Sequence, residues 1–114
     1  MESILTTVKK ASNMTEDQTE FDYDVIMHTN TLFMNLRQMG VGPEEGFYIE
    51  DKTATWSDFT DDIDKMKAVE TYVSLKVKLI FDPPQSSTVL QAIKEIIAEC
   101  EWRLLHAVEC ELKA

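Results

Sequence analysis

Apolar residues recur at the spacing of an α-helix in four segments of the chain, and these segments predict four helices. The first covers about residues 3–12, where Ser3 is placed to cap the N-terminus. The second runs from about residue 22 to residue 39 and stops at Gly40, a residue suited to a left-handed C-terminal cap. These two helices therefore have boundary signals as well as an apolar face.

The third predicted helix, at about residues 65–81, is apolar on two nearly opposite sides. Its two stripes are Met66, Val69, Val73, Val77 and Ile80, and Ala68, Tyr72, Leu75 and Leu79. A helix of this kind is either central in its own domain or buried a second time against a neighbour. It should end at Asp82, because Pro83 and Pro84 cannot continue it.

The fourth predicted helix begins after Ser86 or Ser87, either of which can cap it, and runs to about Glu111. At about 1.5 Å per residue it is more than about 30 Å long, which exceeds what a small domain needs to cover its core. Its broad apolar stripe consists of Val89, Leu90, Ile93, Ile96, Ile97, Cys100, Leu104, Ala107 and Val108.

Residues 40–64 interrupt the helical pattern, and all three glycines of the chain lie there. Phe47 to Ile49 suit a short strand and residues 53–56 could pair with it, so we predict a β-hairpin or an extended loop at about residues 46–57. The predicted fold class is mostly α: a compact four-helix bundle with a long C-terminal helix, formed as one domain over residues 1–114.

The charge is strongly negative and unevenly distributed. The formal net charge is −10, and residues 16–64 hold 13 acids against Arg37 and Lys52. Tight binding of nucleic acid needs clustered basic residues, so this charge argues against it. An acidic surface is instead suited to solubility, to repelling DNA or to meeting a basic partner.

The sequence points to folding in the cytoplasm of a cell. No apolar run approaches the roughly 18 to 20 residues that span a bilayer, and the N-terminal residues lack a signal-peptide pattern, so no membrane partner is expected. Cys100 and Cys110 lie about 15 Å apart along one predicted helix, whereas a disulfide needs Cα atoms within about 7 Å. Two reduced thiols are therefore expected.

Few groups in the sequence are candidates for chemistry. His106 and Cys110 share a helix face, but two ligands do not complete a zinc site. Cys100 or Cys110 with His106 would supply a nucleophile and a base without a group that orients them. The acids of residues 58–64 lack the glycine and the glutamate of a calcium loop. We predict no cofactor, no metal and no catalytic site.

Apolar side chains that point away from the main stripes are candidates for an interface. Trp102 and Leu105 lie on the far side of the fourth helix, and Met27 and Met34 on the far side of the second. The alternative is that neighbouring helices bury these residues inside the domain. With the second stripe of the third helix, the candidate interface residues are Trp102, Leu105, Met27, Met34, Tyr72, Leu75 and Leu79.

Several stretches resemble a family of small proteins encoded in the head–tail gene region of long-tailed bacteriophages and prophages of Gram-positive bacteria. The stretches are GVGPEEGFYIED at residues 40–51, TWSDF at 55–59, YVSLKVKLIFDPP at 72–84 and EWRL at 101–104. The likeness covers nearly the whole chain and includes no catalytic motif.

The resemblance implies a head–tail connector, also called an adaptor or head-completion protein. Such a protein is a structural subunit that forms a homo-oligomeric ring between the portal and the tail or neck proteins. The ring extends a channel through which DNA passes without being specifically bound, and it belongs to the virion after assembly in the host cytoplasm. The candidate acidic wall of that channel consists of Asp58, Asp61, Asp62 and Asp64.

Two other functions compete with the connector. The acidity of residues 16–64 suggests a regulatory protein that imitates the charge of DNA and inhibits a basic nucleic-acid enzyme. A small enzyme that uses His106 with a cysteine is the third hypothesis. Because the catalytic groups are too few, we expect a structural protein and not an enzyme.

Overall fold

The computed structural model describes residues 3–113, and it describes the side chains of residues 3–110. The mostly helical fold class is confirmed, and each predicted helix is present within about two residues of its predicted bounds. A one-turn helix in the middle segment was not predicted. The helices are α1 (Ile4–Ala11), α2 (Asp22–Gln38), α3 (Trp56–Phe59), α4 (Ile63–Phe81) and α5 (Ser87–Lys113).

The predicted end signals are present at several helix boundaries. The backbone N–H of Thr6 donates to Ser3 Oγ at 2.9 Å, so Ser3 caps α1. Ser86 caps α5 in the same way, accepting from the N–H of Val89 at 3.3 Å. Gly40 follows α2 with a φ of +86°, the left-handed conformation that ends many helices.

The predicted hairpin at residues 46–57 is wrong, and the alternative of an extended loop is right for its first part. The backbone of Ile49 bonds to the Asn30 side chain in α2, whose amide accepts from the Ile49 N–H at 2.8 Å and donates to its carbonyl at 3.0 Å. The carbonyl of Ala54 accepts from the N–H of Ile4 at 2.9 Å. The two candidate strands therefore form hydrogen bonds to α2 and α1 instead of to each other.

The second candidate strand ends in α3 because Thr55 and Asp58 form a capping box. This turn directs Trp56 and Phe59 into the core, where they are 2% and 5% exposed. The ring of Phe59 lies 5.2 Å from that of Phe33 in α2, measured between centroids. Aromatic packing thus joins the middle segment to α2.

Close packing also explains one of the glycines of the middle segment. Gly42 has a φ of +99°, and a Cβ atom at this position would lie 2.6 Å from the ring of Phe59. A side chain here would be strained by its backbone conformation and by this contact.

Helix α4 is central, as one reading of its two apolar stripes predicted. It packs against each of the other four helices, whereas α5 packs mainly on α4. The whole described chain measures 44 × 35 × 22 Å. Because α5 has 27 residues, it is about 40 Å long, which is close to the longest of these dimensions.

Candidate assembly site

The outer side of α5 exposes two large apolar side chains. Trp102 is 63% exposed and Leu105 is 43% exposed, whereas the adjacent Leu104 is 3% exposed. Leu104 faces α4. Trp102 and Leu105 point away from α4, because each residue of a helix is rotated by about 100° from the one before it. We call Trp102 and Leu105 the α5 face.

The outer side of α2 exposes a second set of apolar side chains. Met27 and Met34 are each 46% exposed, while Val25 and Leu36, on the inner side, are completely buried. Tyr23 and Tyr48, which are not among the predicted interface residues, extend this set. We call Tyr23, Met27, Met34 and Tyr48 the α2 stripe.

The sequence indicates the position of Tyr23 but not that of Tyr48. Tyr23 is 78% exposed and precedes Met27 by four residues, so helical spacing alone places it on the α2 stripe. Tyr48 is 60% exposed, and it is brought to α2 by the Asn30 contact with its neighbour Ile49. Only the tertiary structure could reveal this second contribution.

The second stripe of α4 is packed within the chain. Tyr72 is 3% exposed and belongs to the hydrophobic core, while Leu75 and Leu79 are half-buried against it. Burial, assisted by the charge of Glu101 in α5, raises the pKa of the Tyr72 hydroxyl. Tyr72 is therefore covered within the chain, and the interface role of Tyr72, Leu75 and Leu79 stays a prediction.

An ion pair marks the contact between α4 and α5. Lys76 Nζ lies 3.8 Å from Glu101 Oε1 and 5.7 Å from the centroid of the Tyr72 ring. The pair is more than one-third exposed, so its contribution to stability is small. Apolar packing by Ile93, Ile97 and Leu104 is the main attachment of α5.

The four candidate wall residues are all exposed, but they differ in their local roles. Asp58 accepts from the N–H of Thr55 at 2.9 Å, and Asp62 accepts from the N–H of Lys65 at 3.2 Å. These two carboxylates therefore cap α3 and α4. Asp61 and Asp64 lie beside them, and Asp64 is in the first turn of α4, where a negative charge is favourable.

The cysteines of α5 differ in their surroundings. Cys100 lines an open groove of about 620 Å³ between α4 and α5, and burial raises the pKa of its thiol. Cys110 is exposed, and its Sγ lies 3.6 Å from His106 Nε2. Within the part of the chain described, no three His, Cys, Asp or Glu side chains form a group that could hold a metal ion.

The helices show no membrane-spanning character over the described residues: none combines the length and the apolar content that crossing a bilayer requires. The surfaces that stand out are instead the α5 face, the α2 stripe and the acidic segment that precedes α4. Exposed apolar patches of this kind mark interaction sites in many proteins.

Comparison with known proteins gives one match. The family model described as phage connector protein matches residues 4–111, which is nearly the whole chain. Searches of curated proteins and of solved structures find no match. Connectors are structural proteins of phages, so the match favours the structural hypothesis over the charge mimic and the small enzyme. The chain therefore belongs to the phage connector protein family.

Proposed function

We propose that the protein assembles head to tail into a ring in the neck of the phage particle, between the portal and the tail. The observation that carries this proposal is the pair of exposed apolar surfaces, the α5 face and the α2 stripe. Both helices pack against α4, and these apolar side chains are exposed on each of them. The subunit thus has two different apolar surfaces on its outside.

A closed ring needs two surfaces that differ from each other and match across neighbours. In the proposed contact, the α5 face of one subunit packs on the α2 stripe of the next. Trp102 is the expected anchor, because tryptophan is enriched among the residues that dominate interface energies. Met27 and Met34 suit the opposite side, since flexible thioether side chains adapt to the shape of a partner.

The acidic segment before α4 is proposed to face the channel. Asp58, Asp61, Asp62 and Asp64 place four carboxylates within seven residues, all of them exposed. Repeated around a ring, they would repel the phosphates of passing DNA and prevent lasting contacts. The net charge of −10 supports the same property, since each added copy increases the negative potential.

The proposed partners are the portal on one side of the ring and tail or neck proteins on the other. Membership of the connector family supports this placement, and it supports a location in the virion. The ring would then extend the DNA channel of the portal, and the chain itself would bind no cofactor.

The test is assembly of purified subunits with and without the portal, followed by electron microscopy and native mass spectrometry. Trp102→Ala should weaken ring formation, because truncating an interface anchor costs about 2 kcal/mol or more, roughly a thirtyfold change in association. Leu105→Ala should act in the same direction. Met27→Ala together with Met34→Ala should weaken the ring from the other surface.

Ile96→Ala is the matched control. Ile96 is 43% exposed, like Leu105, but it lines the groove on the other side of α5. Its truncation should leave the ring intact. Normal assembly of Trp102→Ala would contradict the assigned interface, and absence of the protein from purified virions would contradict the connector role in the neck.

A further inference from the structure

Three side chains follow one another at four-residue intervals on the outer side of α5. Trp102 and His106 stack with ring centroids 5.1 Å apart and planes inclined by 3°. One turn further, His106 Nε2 lies 3.6 Å from Cys110 Sγ. All three side chains are exposed, so an imidazole and a thiol are presented together to the surroundings of the subunit.

We propose that His106 and Cys110 form half of a tetrahedral zinc site, which a second copy of the chain completes with the same two residues. Zinc binds thiolate sulfur at about 2.3 Å and imidazole nitrogen at about 2.0–2.1 Å. At a tetrahedral angle these bonds place the sulfur and the nitrogen about 3.6 Å apart. The observed separation of 3.6 Å therefore already equals one edge of such a site.

The helix holds this edge without any change of the backbone. Residues four apart lie on the same side of a helix, so the two donors converge on one point outside it. The parallel stack with Trp102 orients the imidazole and limits its rotation. Both features lower the cost of ordering the ligands when an ion binds.

A second copy supplies what one chain lacks. Structural zinc sites have four protein ligands, and no third ligand accompanies the pair among the described side chains. Two thiolates and two neutral imidazoles would also balance the double positive charge of the ion. Each Cys110 thiol releases its proton to water on binding, which makes two protons for each ion bound.

The exposed Trp102 fits the same arrangement. It is 63% exposed one turn before His106, so two α5 helices brought together by the ion would also bury apolar surface. The Trp102 side of α5 cannot serve this contact and the proposed ring contact at once. The zinc-bridged pair is therefore a form of the unassembled subunit, and the site itself does not depend on ring formation.

Cobalt is the probe for the test, because a thiolate bound to Co²⁺ gives a charge-transfer absorption in the near ultraviolet. Titration of the reduced, metal-free chain with Co²⁺ should produce this absorption and saturate at one ion for two chains. Zn²⁺ should remove the absorption by displacing cobalt. Light scattering should show that Zn²⁺ doubles the molecular mass, and that a chelator reverses the change.

Variants of exposed residues separate the site from alternatives. Cys110→Ser and His106→Asn should each abolish the charge-transfer absorption and the zinc-dependent dimer, with an unchanged helical circular dichroism spectrum. Cys100→Ser is the matched control and should keep both signals, because Cys100 lies toward α4 in the groove.

Three results would overturn the shared site: no charge-transfer absorption, as expected from a thiol–imidazole hydrogen bond only; an unchanged absorption in Cys110→Ser; or saturation at one ion per chain. Ring assembly with the portal is scored separately, so its failure is distinguishable from failure of the zinc site.

Discussion

Asn30 shows how one side chain can direct a whole segment of backbone. Its amide satisfies both the N–H and the carbonyl of Ile49, at 2.8 and 3.0 Å. Ile49 is 2% exposed, so without Asn30 its polar backbone groups would lie next to the core unpaired. The contact therefore fixes the path of the loop over α2 and the position of Tyr48 on the α2 stripe.

Replacing Asn30 by alanine should lower the free energy of unfolding by about 1–3 kcal/mol, because two backbone groups near the core lose their partner. Urea denaturation followed by circular dichroism measures the change. Gln38→Ala, on the exposed side of the same helix, is the control and should cost less than about 0.5 kcal/mol. Equal effects of the two substitutions would show that the amide contact does not hold the loop.

At the scale of elements, α1 and α2 are joined by an ion pair of a buried lysine and a partly exposed aspartate. Lys9 in α1 is 3% exposed, and its Nζ lies 2.8 Å from Asp22 Oδ1 at the start of α2. The same ammonium group donates to the carbonyl of Glu16 at 3.3 Å. A charged group in such a position depends on its partner, because burial removes it from water.

Asp22→Asn should therefore destabilise the fold by about 2–3 kcal/mol, somewhat less than for a fully buried pair because the Asp22 side chain is 29% exposed. Thermal and urea unfolding measure the loss. Asp24→Asn removes the same charge from the same turn of α2, so it controls for the favourable charge at the helix start. The ion-pair argument fails if the two variants are equally stable.

At the scale of the whole molecule, the subunit exposes two apolar surfaces and one acidic segment. The α5 face and the α2 stripe expose large apolar side chains, and the segment before α4 exposes four carboxylates together with Ile63. Two of these carboxylates are caps, so their substitution would disturb the helices as well as the charge. Asp61 and Asp64 are the better positions for a test of the channel wall.

The double change Asp61→Lys and Asp64→Lys should leave ring assembly intact and make the ring retain DNA. Four units of charge change in each subunit, and the new contacts are to phosphate, so binding should weaken steeply with salt. An electrophoretic mobility shift assay at several salt concentrations measures it. The double change Asp17→Lys and Glu50→Lys alters the charge of each subunit by the same amount outside the proposed wall. A ring of this control variant should retain less DNA than a ring of the Asp61→Lys, Asp64→Lys variant. Equal retention by the two rings would contradict the assignment of the wall.

The sequence by itself determined the features that depend on neighbours along the chain. The four long helices follow from apolar spacing, and Ser3, Gly40 and Pro83 mark boundaries through local backbone chemistry. The same periodicity placed Trp102, Leu105, Met27 and Met34 away from the main stripes but left open whether neighbouring helices bury them, and the structure shows them exposed.

Only the tertiary structure decided which surfaces cover one another. The second stripe of α4 had two possible coverings, and α5 occupies that position in the same chain, burying Tyr72. The hairpin failed because Asn30, far from Ile49 in sequence, takes its hydrogen bonds. The periodicity of apolar residues identifies which sides of a helix are apolar. Which element covers each side depends on contacts between residues that are distant along the chain, and no local pattern contains that information.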